Sequence, residues 1–371
     1  MDCSSPHFVR LSRASDILLG FSYGKFYRNA YPLTINILLH FSEGCAANCL
    51  YCGQARSATI ASAACRTLIR VDWPLRPLSE VVERISKITG SGSSFRPYRV
   101  CVSDIEHPRA VGILKDVVRT LWSRLGIPIS ALISPTQFSR KDMEELKTSG
   151  VERIGIALDC ASEELFDILR GSGAGSPHRW GRYMEGIRDA VETVGRGRVG
   201  VHLIVGLGES EEDAVRLIQL VHEMGAETHL FSFYPERSTI LEGWLRPPAS
   251  QYRRVQLARY LINNNLSRYE WMEFDSMRRI VDFGLPKSEL EDIIESGLPF
   301  VTAGCPGCNR PYANERPGEL PRNFPYIPRG REIEKIKQQL HTYLPVRNSI
   351  HNLRRYLDVV SVHEIRENAV P

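Results

Sequence analysis

The sequence contains 371 residues, of which 43% are hydrophobic and 24% are charged, and its formal net charge is +4. This composition excludes collagen-like and largely disordered chains, and the small, dispersed positive charge gives no indication of nucleic-acid binding. No apolar run approaches the roughly 18 residues that a membrane span needs, and no apolar export signal opens the sequence, so we expect a cytoplasmic protein without membrane contact.

The first 240 residues alternate short apolar runs with longer amphipathic segments. Strands are predicted, in chain order, at Thr34–Phe41, Tyr98–Ser103, Ile127–Ile133, Arg153–Asp159, Arg198–Val205 and Thr228–Tyr234. Helices are predicted at Leu78–Ile88, Arg109–Leu125, Ser139–Lys147, Ser162–Leu169, Trp180–Val194 and Glu211–Met224. This alternation is typical of an α/β fold with a mainly parallel sheet, organised as a full or partial βα barrel. In such folds the reactive groups gather at the carboxyl ends of the strands.

Beyond Ser238 the strand rhythm fades, and a segment rich in Gly, Pro, Asn and Arg follows at Thr302–Tyr326. The pattern divides the chain into four parts: an amino-terminal extension (residues 1–33), a barrel core (34–240), a segment with the remainder of the barrel and a second cysteine group (241–345), and a peripheral tail (346–371).

Nine cysteines stand out, and five of them fall into two tight groups. Without a secretion signal, a disulfide framework is not expected in a reducing cytosol. The first group, Cys45, Cys49 and Cys52, has the spacing C-x3-C-x2-C directly after a predicted strand. Three thiolates on one loop can hold three irons of a [4Fe–4S] cluster and leave the fourth iron open for a ligand. The alternative is a zinc knuckle completed by a distant Cys or His.

This triplet, with the aromatic Tyr51 before its last cysteine, resembles the cluster motif of radical S-adenosylmethionine (SAM) enzymes. The resemblance extends over roughly Thr34–Tyr234 and implies the TIM-type (βα) barrel of that superfamily. It also implies that the open iron binds SAM. An electron from a donor such as ferredoxin or flavodoxin then cleaves SAM to methionine and a 5′-deoxyadenosyl radical. Cys45, Cys49 and Cys52 are thus the expected catalytic and metal-binding residues.

The same resemblance suggests further SAM contacts at the ends of three predicted strands. Asp159 is expected to bind the ribose, although it could instead cap the helix that follows. Val205, Gly206 and Gly208 lie in a V-G-L-G-E turn that is expected beside the adenine, unless this is a simple βα turn. Ser103 is expected near the amino group of SAM, and ordinary loop polarity is the alternative.

The second group is the C-x2-C pair Cys305 and Cys308. Two thiols do not complete a metal site, and Cys101 in a predicted strand is the best third candidate. The alternatives are a buried hydrophobic role for Cys101 and a zinc or thioredoxin-like role for the pair. Cys3, Cys65 and Cys160 are expected to have no role in the site.

The segment C-P-G-C-N-R-P-Y-A-N-E-R-P, which begins at Cys305, resembles the archaeal-type two-subunit lipoyl synthases. That resemblance implies an auxiliary [4Fe–4S] cluster on Cys101, Cys305 and Cys308. Its sulfide would be inserted into an octanoyl chain on a lipoyl-domain or carrier protein, with a homologous second synthase subunit as partner. Two other hypotheses remain: a radical SAM enzyme with another outcome (methylation, rearrangement or C–C bond formation), or a non-catalytic zinc-binding module.

Overall fold

The computed structural model describes residues 3–58, 67–68, 71–90, 96–311, 319–345 and 347–367. Its strands are β1 (Phe8–Leu11), β2 (Thr34–Leu39), β3 (Thr67–Leu68), β4 (Val71–Asp72), β5 (Leu75–Pro77), β6 (Arg99–Ser103), β7 (Ile129–Ile133), β8 (Val151–Asp159), β9 (Val199–Val205), β10 (Glu227–Ser232), β11 (Glu273–Phe274) and β12 (Ile280–Asp282). Its α-helices are α1 (Arg13–Leu18), α2 (Leu78–Gly90), α3 (Ala110–Leu125), α4 (Arg140–Thr148), α5 (Glu163–Arg170), α6 (Trp180–Val194), α7 (Glu211–Glu223), α8 (Ala249–Asn263), α9 (Lys287–Ser296), α10 (Arg331–Leu340) and α11 (Ile350–Glu367).

One eight-stranded sheet organises the fold, in the order β10-β9-β8-β7-β6-β2-β1-β5. The six strands from β10 to β2 are parallel to their neighbours. At the other edge, β1 pairs antiparallel with both β2 and β5, so the amino-terminal extension is part of the sheet. Because β10 and β5 stand at the two ends of this order, the sheet is a partial barrel among the described residues.

The helices form the outer layer because each has one apolar face. On α3, for example, Leu114, Val117 and Leu121 are fully buried, as a stripe with helical spacing should be. Ser139 begins α4 and Ser210 begins α7, each with a reciprocal capping box that satisfies free amides of the first turn. These local signals explain why the bounds of the helices could be predicted closely from the sequence.

The concave side of the sheet is less tightly filled than the helix side. On β6 to β9, several alternate residues are only half-buried, whereas the residues between them are fully buried. The half-buried set comprises Cys101, Ser103, Leu132, Ala157, His202 and Ile204. Since side chains alternate between the two faces of a strand, this set lines the interior of the partial barrel.

Two parts of the expected domain organisation differ from the structure, namely the extent of the barrel and the position of the tail. Within the described residues after Ser232, no strand joins the eight-stranded sheet, because β11 and β12 form a separate hairpin. Among the described residues, the strands of the barrel therefore end at β10. The tail beyond residue 346 is also less peripheral than expected: Asn348 and Leu353 are buried, and Asn348 donates hydrogen bonds to the carbonyls of Gly206 and Leu245. No helix among the described residues is both long and apolar enough to cross a membrane.

Candidate radical SAM site

The cysteine triplet lies on a loop that leaves the carboxyl end of β2. Gly44 has φ +80°, a conformation that suits glycine, and its amide bonds the carbonyl of Phe41 at 3.0 Å. The Cys52 amide bonds the carbonyl of Cys49 at 3.0 Å, which folds the last part of the triplet into a turn. The loop is fixed to the barrel because the Ala46 amide bonds the Glu106 carbonyl at 2.7 Å.

The three thiols are held close enough for their charges to interact. Burial raises the pKa of Cys45 to about 12 and that of Cys49 to about 11. Burial also raises the pKa of Cys52, and negative charge on Cys49 and Cys45 raises it further. The thiols are therefore protonated in the metal-free protein, and metal binding must release their protons.

The donors of the triplet fit an iron–sulfur cluster. They are three soft thiols on one loop, and the Gln54 amide donates to Cys52 Sγ at 3.4 Å, as suits a thiolate ligand. No group of three His, Cys, Asp or Glu side chains in the described parts of the chain is arranged around a single metal ion. Cysteines that hold a [4Fe–4S] cluster each bind a different iron.

A buried polar network connects the triplet loop to β8. The Tyr51 hydroxyl donates to Asp159 at 2.7 Å, and Arg170 donates to the same carboxylate and to the Tyr51 oxygen. Arg170 also donates to the Tyr183 hydroxyl at 2.7 Å. Asp159 ends β8 with φ +66°, beside a register irregularity between β8 and β9. The Asp159 carboxylate, predicted to meet the SAM ribose, thus already has two protein partners.

Two acidic residues, Asp104 and Glu106, follow the carboxyl end of β6, which is the neighbour of β2 in the sheet. Ser103 is half-buried there, and the following Asp104 accepts from Gln137 Nε2 at 3.1 Å. Burial raises the pKa of Glu106 to about 7. Glu106 Oε1 is buried without a hydrogen-bond partner among the described residues, and it lies 3.6 Å from His178 Nδ1. An unsatisfied acceptor beside the triplet loop is a candidate contact for a cationic group such as an amine.

The turn that was predicted to lie beside the adenine is present, and Pro247 packs against it. Gly206 and Gly208 have φ of +109° and +133°, so both need glycine's conformational freedom. The Glu209 carboxylate accepts from the backbone amides of Gly206, Leu207 and Gly208, at 2.6 to 3.1 Å. A Cβ on Gly206 would lie 2.5 Å from the Pro247 ring. The close approach that these glycines permit is thus to Pro247, and Val205 before them is fully buried.

The second cysteine group meets Cys101 inside the barrel. Burial raises the pKa of Cys101, and the charges of Cys305 and Cys308 raise it further, so the three thiols lie close to one another. Cys305 Sγ lies 3.3 Å from the hydroxyl of Ser130, which pairs with Cys101 in the register of β6 and β7. The Cys308 amide bonds the Cys305 carbonyl at 2.8 Å, so the C-x2-C segment forms a tight turn. The Cys101 thiol is thus a neighbour of two thiols that lie about two hundred positions further along the chain.

Cations surround this second group of thiols. Arg310 and Arg99 lower the pKa of Cys308 and of Cys101, against the larger effect of burial. Arg310 also lies over the Phe231 ring at 4.0 Å. The buried Thr34 hydroxyl faces the Cys308 thiol and lowers its pKa. Three thiols with two cations and a hydroxyl donor fit an anionic group such as a thiolate-bound cluster.

Several of these residues were not found from the sequence. Glu106, Arg170, His178 and Tyr183 belong to no motif, and only the place of Glu106 after a strand is a signal. Arg99 and Arg310 were not identified as a pair beside the thiols. Cys65 and the Y-A-N-E-R-P part of the second motif lie outside the described residues. Cys160 is fully buried and Cys3 is exposed, and neither forms a disulfide bond with another described residue.

Comparison with known proteins finds several that are similar to this chain at low sequence identity. A curated biotin synthase from Hydrogenobaculum sp. (strain Y04AAS1) is 26% identical over 205 residues, which are 54% of this chain and 56% of that protein. The chain thus spans just over half the length of this relative. Methylornithine synthase (PylB) is a solved structure with 15% identity and a TM-score of 0.49, covering 68% of this chain and 67% of its own. HydG, a maturase of the [FeFe]-hydrogenase, has 14% identity and a TM-score of 0.48, covering 68% and 58%.

The family match falls on the part of the chain that builds the barrel and the triplet. Residues 39–221 match the sequence model of the radical SAM superfamily. The match begins at Leu39, the last residue of β2, includes Cys45, Cys49 and Cys52, and continues through the four parallel strands β6 to β9. The matched residues thus combine most of a partial βα barrel with a cysteine triplet that follows its first parallel strand, the arrangement expected of a radical SAM domain.

Proposed function

We propose that this radical SAM enzyme inserts sulfur from an auxiliary [4Fe–4S] cluster into an octanoyl chain on a lipoyl carrier protein. The observation that carries the proposal is the meeting of Cys101 with Cys305 and Cys308 inside the barrel. A second set of three thiols has no use in SAM cleavage, which needs only the first triplet. A sulfur donor is a use that accounts for it.

The two sets of thiols lie toward opposite ends of the same strands. The triplet follows the carboxyl end of β2, whereas the Cys308 thiol faces Thr34, the first residue of that strand. Half-buried Leu132, Ala157 and Ile204 line the barrel on the strands β7 to β9. These three side chains are apolar and one of them is small, which suits an unbranched acyl chain.

Each bound group would supply one piece of chemistry. Reductive cleavage of SAM supplies a hydrogen-abstracting radical, and the auxiliary cluster supplies sulfide. The chain's own residues hold these groups and exclude water. Cys45, Cys49 and Cys52 hold the first cluster, and the buried Tyr51–Asp159–Arg170 network fixes their loop against β8.

The proposal requires partners that this chain does not provide. We expect an octanoylated lipoyl domain or carrier protein, a homologous second synthase subunit, and an electron donor such as ferredoxin or flavodoxin. A lipoyl group contains two sulfur atoms, and two related subunits are expected. Each subunit could therefore insert one of them.

Cys305→Ala tests the proposal, with Cys3→Ala as the control that removes an exposed thiol. We expect Cys3→Ala to keep about eight irons per chain, the content of two cubane clusters, and Cys305→Ala to keep about four. The Cys305 variant should still form 5′-deoxyadenosine from SAM but should no longer thiolate an octanoylated carrier. Thiolation by Cys305→Ala would contradict the proposal.

Sulfur labelling separates insertion from another radical outcome. When the clusters are rebuilt with isotopically labelled sulfide, we expect the label in the product of the first turnover. An unlabelled, methylated or rearranged product would leave the radical SAM chemistry intact but reject cluster sulfide as the donor.

A further inference from the structure

The Cys305 thiol has a hydrogen-bond donor that the proposed function does not use. Ser130 Oγ on β7 lies 3.3 Å from Cys305 Sγ. Arg99 Nη1 donates to the same serine oxygen at 3.1 Å. Arg99 is 0% exposed and Ser130 is 2% exposed, so water does not compete for either contact. The three residues form a buried chain from a guanidinium through a hydroxyl to a thiol.

The arginine determines where the serine hydrogen points. A guanidinium carries only donors, so the Ser130 oxygen must accept from Arg99. The single hydrogen of the hydroxyl is then directed away from Arg99, and the contact with Cys305 Sγ receives it. A thiolate accepts such a bond and cannot donate one, so only the direction from Ser130 to Cys305 is compatible with metal binding.

The guanidinium is itself held in place. Arg99 Nη2 donates to Glu152 on β8 at 2.6 Å, so the two ends of the guanidinium join β8 and β7. Arg99 precedes Cys101 by two positions on β6 and therefore lies on the same face of the sheet. The donor is thus part of the barrel framework, whereas Cys305 comes from the distant loop that packs onto it.

We propose that Ser130, oriented by Arg99, is a positioning residue that donates a hydrogen bond to the Cys305 ligand of the auxiliary cluster and raises that cluster's reduction potential. The inference rests on the proposed function, because it needs a cluster on Cys101, Cys305 and Cys308. A donor to a ligand sulfur stabilises the more negative, reduced cluster more than the oxidised one, so the potential rises.

The test uses full-length protein with Cys45, Cys49 and Cys52 replaced by Ala, so that only the auxiliary cluster remains. After anaerobic loading with iron and sulfide, a dithionite titration followed by electron paramagnetic resonance gives its potential. Adding Ser130→Ala should lower the potential at an unchanged content of about four irons. Ser130→Thr keeps the hydroxyl and should restore the parent value.

Thr228→Val is the matched control, since it removes a buried hydroxyl that has no hydrogen-bond partner among the described residues of the barrel. We expect no shift from it. Equal potentials in the parent, the Ser130→Ala variant and the Ser130→Thr variant would overturn the inference while the second cluster stands. A parent that binds no iron would instead reject the cluster, and with it the proposed function.

A second measurement tests the hydrogen bond if the Ser130→Ala variant does not bind iron. The iron–thiolate stretching bands of the parent, recorded by resonance Raman in H₂O and D₂O, should shift because the Ser130 hydrogen exchanges. The shift should persist in Ser130→Thr. Bands that are identical in the two solvents would overturn the inference.

Discussion

The two cysteine sites occupy the same barrel but are built in different ways. Cys45, Cys49 and Cys52 lie within eight consecutive residues on one loop. The second site joins Cys101, on a strand, to Cys305 and Cys308, about two hundred positions further along the chain. A loop holds its ligands through its own turns, whereas the second site exists only when the chain has folded.

Their electrostatic surroundings differ as well. Buried carboxyl groups lie near the triplet, and burial raises the pKa values of Asp104 and Glu106. The second site lies among Arg99, Arg310 and the neutral imidazole of His202. A cationic ligand such as SAM would favour the ionised form of the buried acids beside the triplet, whereas the two arginines favour an anionic cluster at the second site. Because their ligands and surroundings differ, the two sites should bind their clusters independently.

Cys49→Ala should have the largest effect. Without this ligand the first cluster is lost, so 5′-deoxyadenosine formation from SAM should fall to background. The second site should still load, leaving about four of about eight irons per chain. Anaerobic iron and sulfide quantitation beside a SAM-cleavage assay measures both results. Loss of all iron would show that the second site depends on the first.

The fold was predictable from the sequence where local patterns are strong. Helix α6 has the predicted bounds Trp180–Val194, and the six parallel strands lie within three residues of their predicted ends. Buried parallel strands are nearly continuous apolar runs, and amphipathic helices repeat their apolar residues every three or four positions. β1 was missed because its four residues carry too little periodicity.

The candidate sites divide in the same way. The triplet could be predicted because its ligands share one loop, so their spacing in the sequence determines how they lie in space. Cys101 could be joined to Cys305 and Cys308 only through a family resemblance, because no spacing connects residues that meet by folding. Arg170 gave no sequence signal at all, since its role arises from burial beside Asp159.

Asp159→Asn should be the next largest change, because it leaves the buried Arg170 guanidinium without its counter-charge. We expect the free energy of unfolding to fall by about 3 kcal/mol. Asparagine tolerates the φ of +66° at this position, so the variant isolates the charge. Urea denaturation measures the loss.

Glu164→Gln is the control for Asp159→Asn, since it breaks an ion pair with Arg354 in which both side chains are more than half exposed. It should cost less than about 1 kcal/mol. Equal losses in the two variants would contradict a special role for the buried network that fixes the triplet loop.

The histidines near the second site should make stability depend on pH. Burial, then the charge of Arg310, lowers the pKa of His202 to about 3. The folded state therefore keeps this imidazole neutral, while the unfolded chain binds a proton below its ordinary pKa of about 6.5. Stability must then fall as the pH drops from about 6.5 towards 3.

His202→Gln removes this dependence. Between pH 7.5 and pH 5, wild type should lose about 2 kcal/mol more than the variant, given that each pKa unit is worth about 1.4 kcal/mol. Denaturant titrations at the two pH values measure the difference. The same loss in both proteins would show that His202 titrates alike in the folded and unfolded states.

Tyr51→Phe should give a small change and tests how the triplet loop is held. The Tyr51 hydroxyl donates to Asp159 at 2.7 Å, but Arg170 continues to bind that carboxylate when the hydroxyl is removed. We therefore expect a loss of about 1 kcal/mol in the free energy of unfolding, the usual contribution of one buried hydrogen bond. Iron content should not change, because the phenyl ring still fills its buried place. If Tyr51→Phe lost the first cluster, the hydroxyl would be essential to the loop, and the turns between the cysteines would not be enough to hold the ligands.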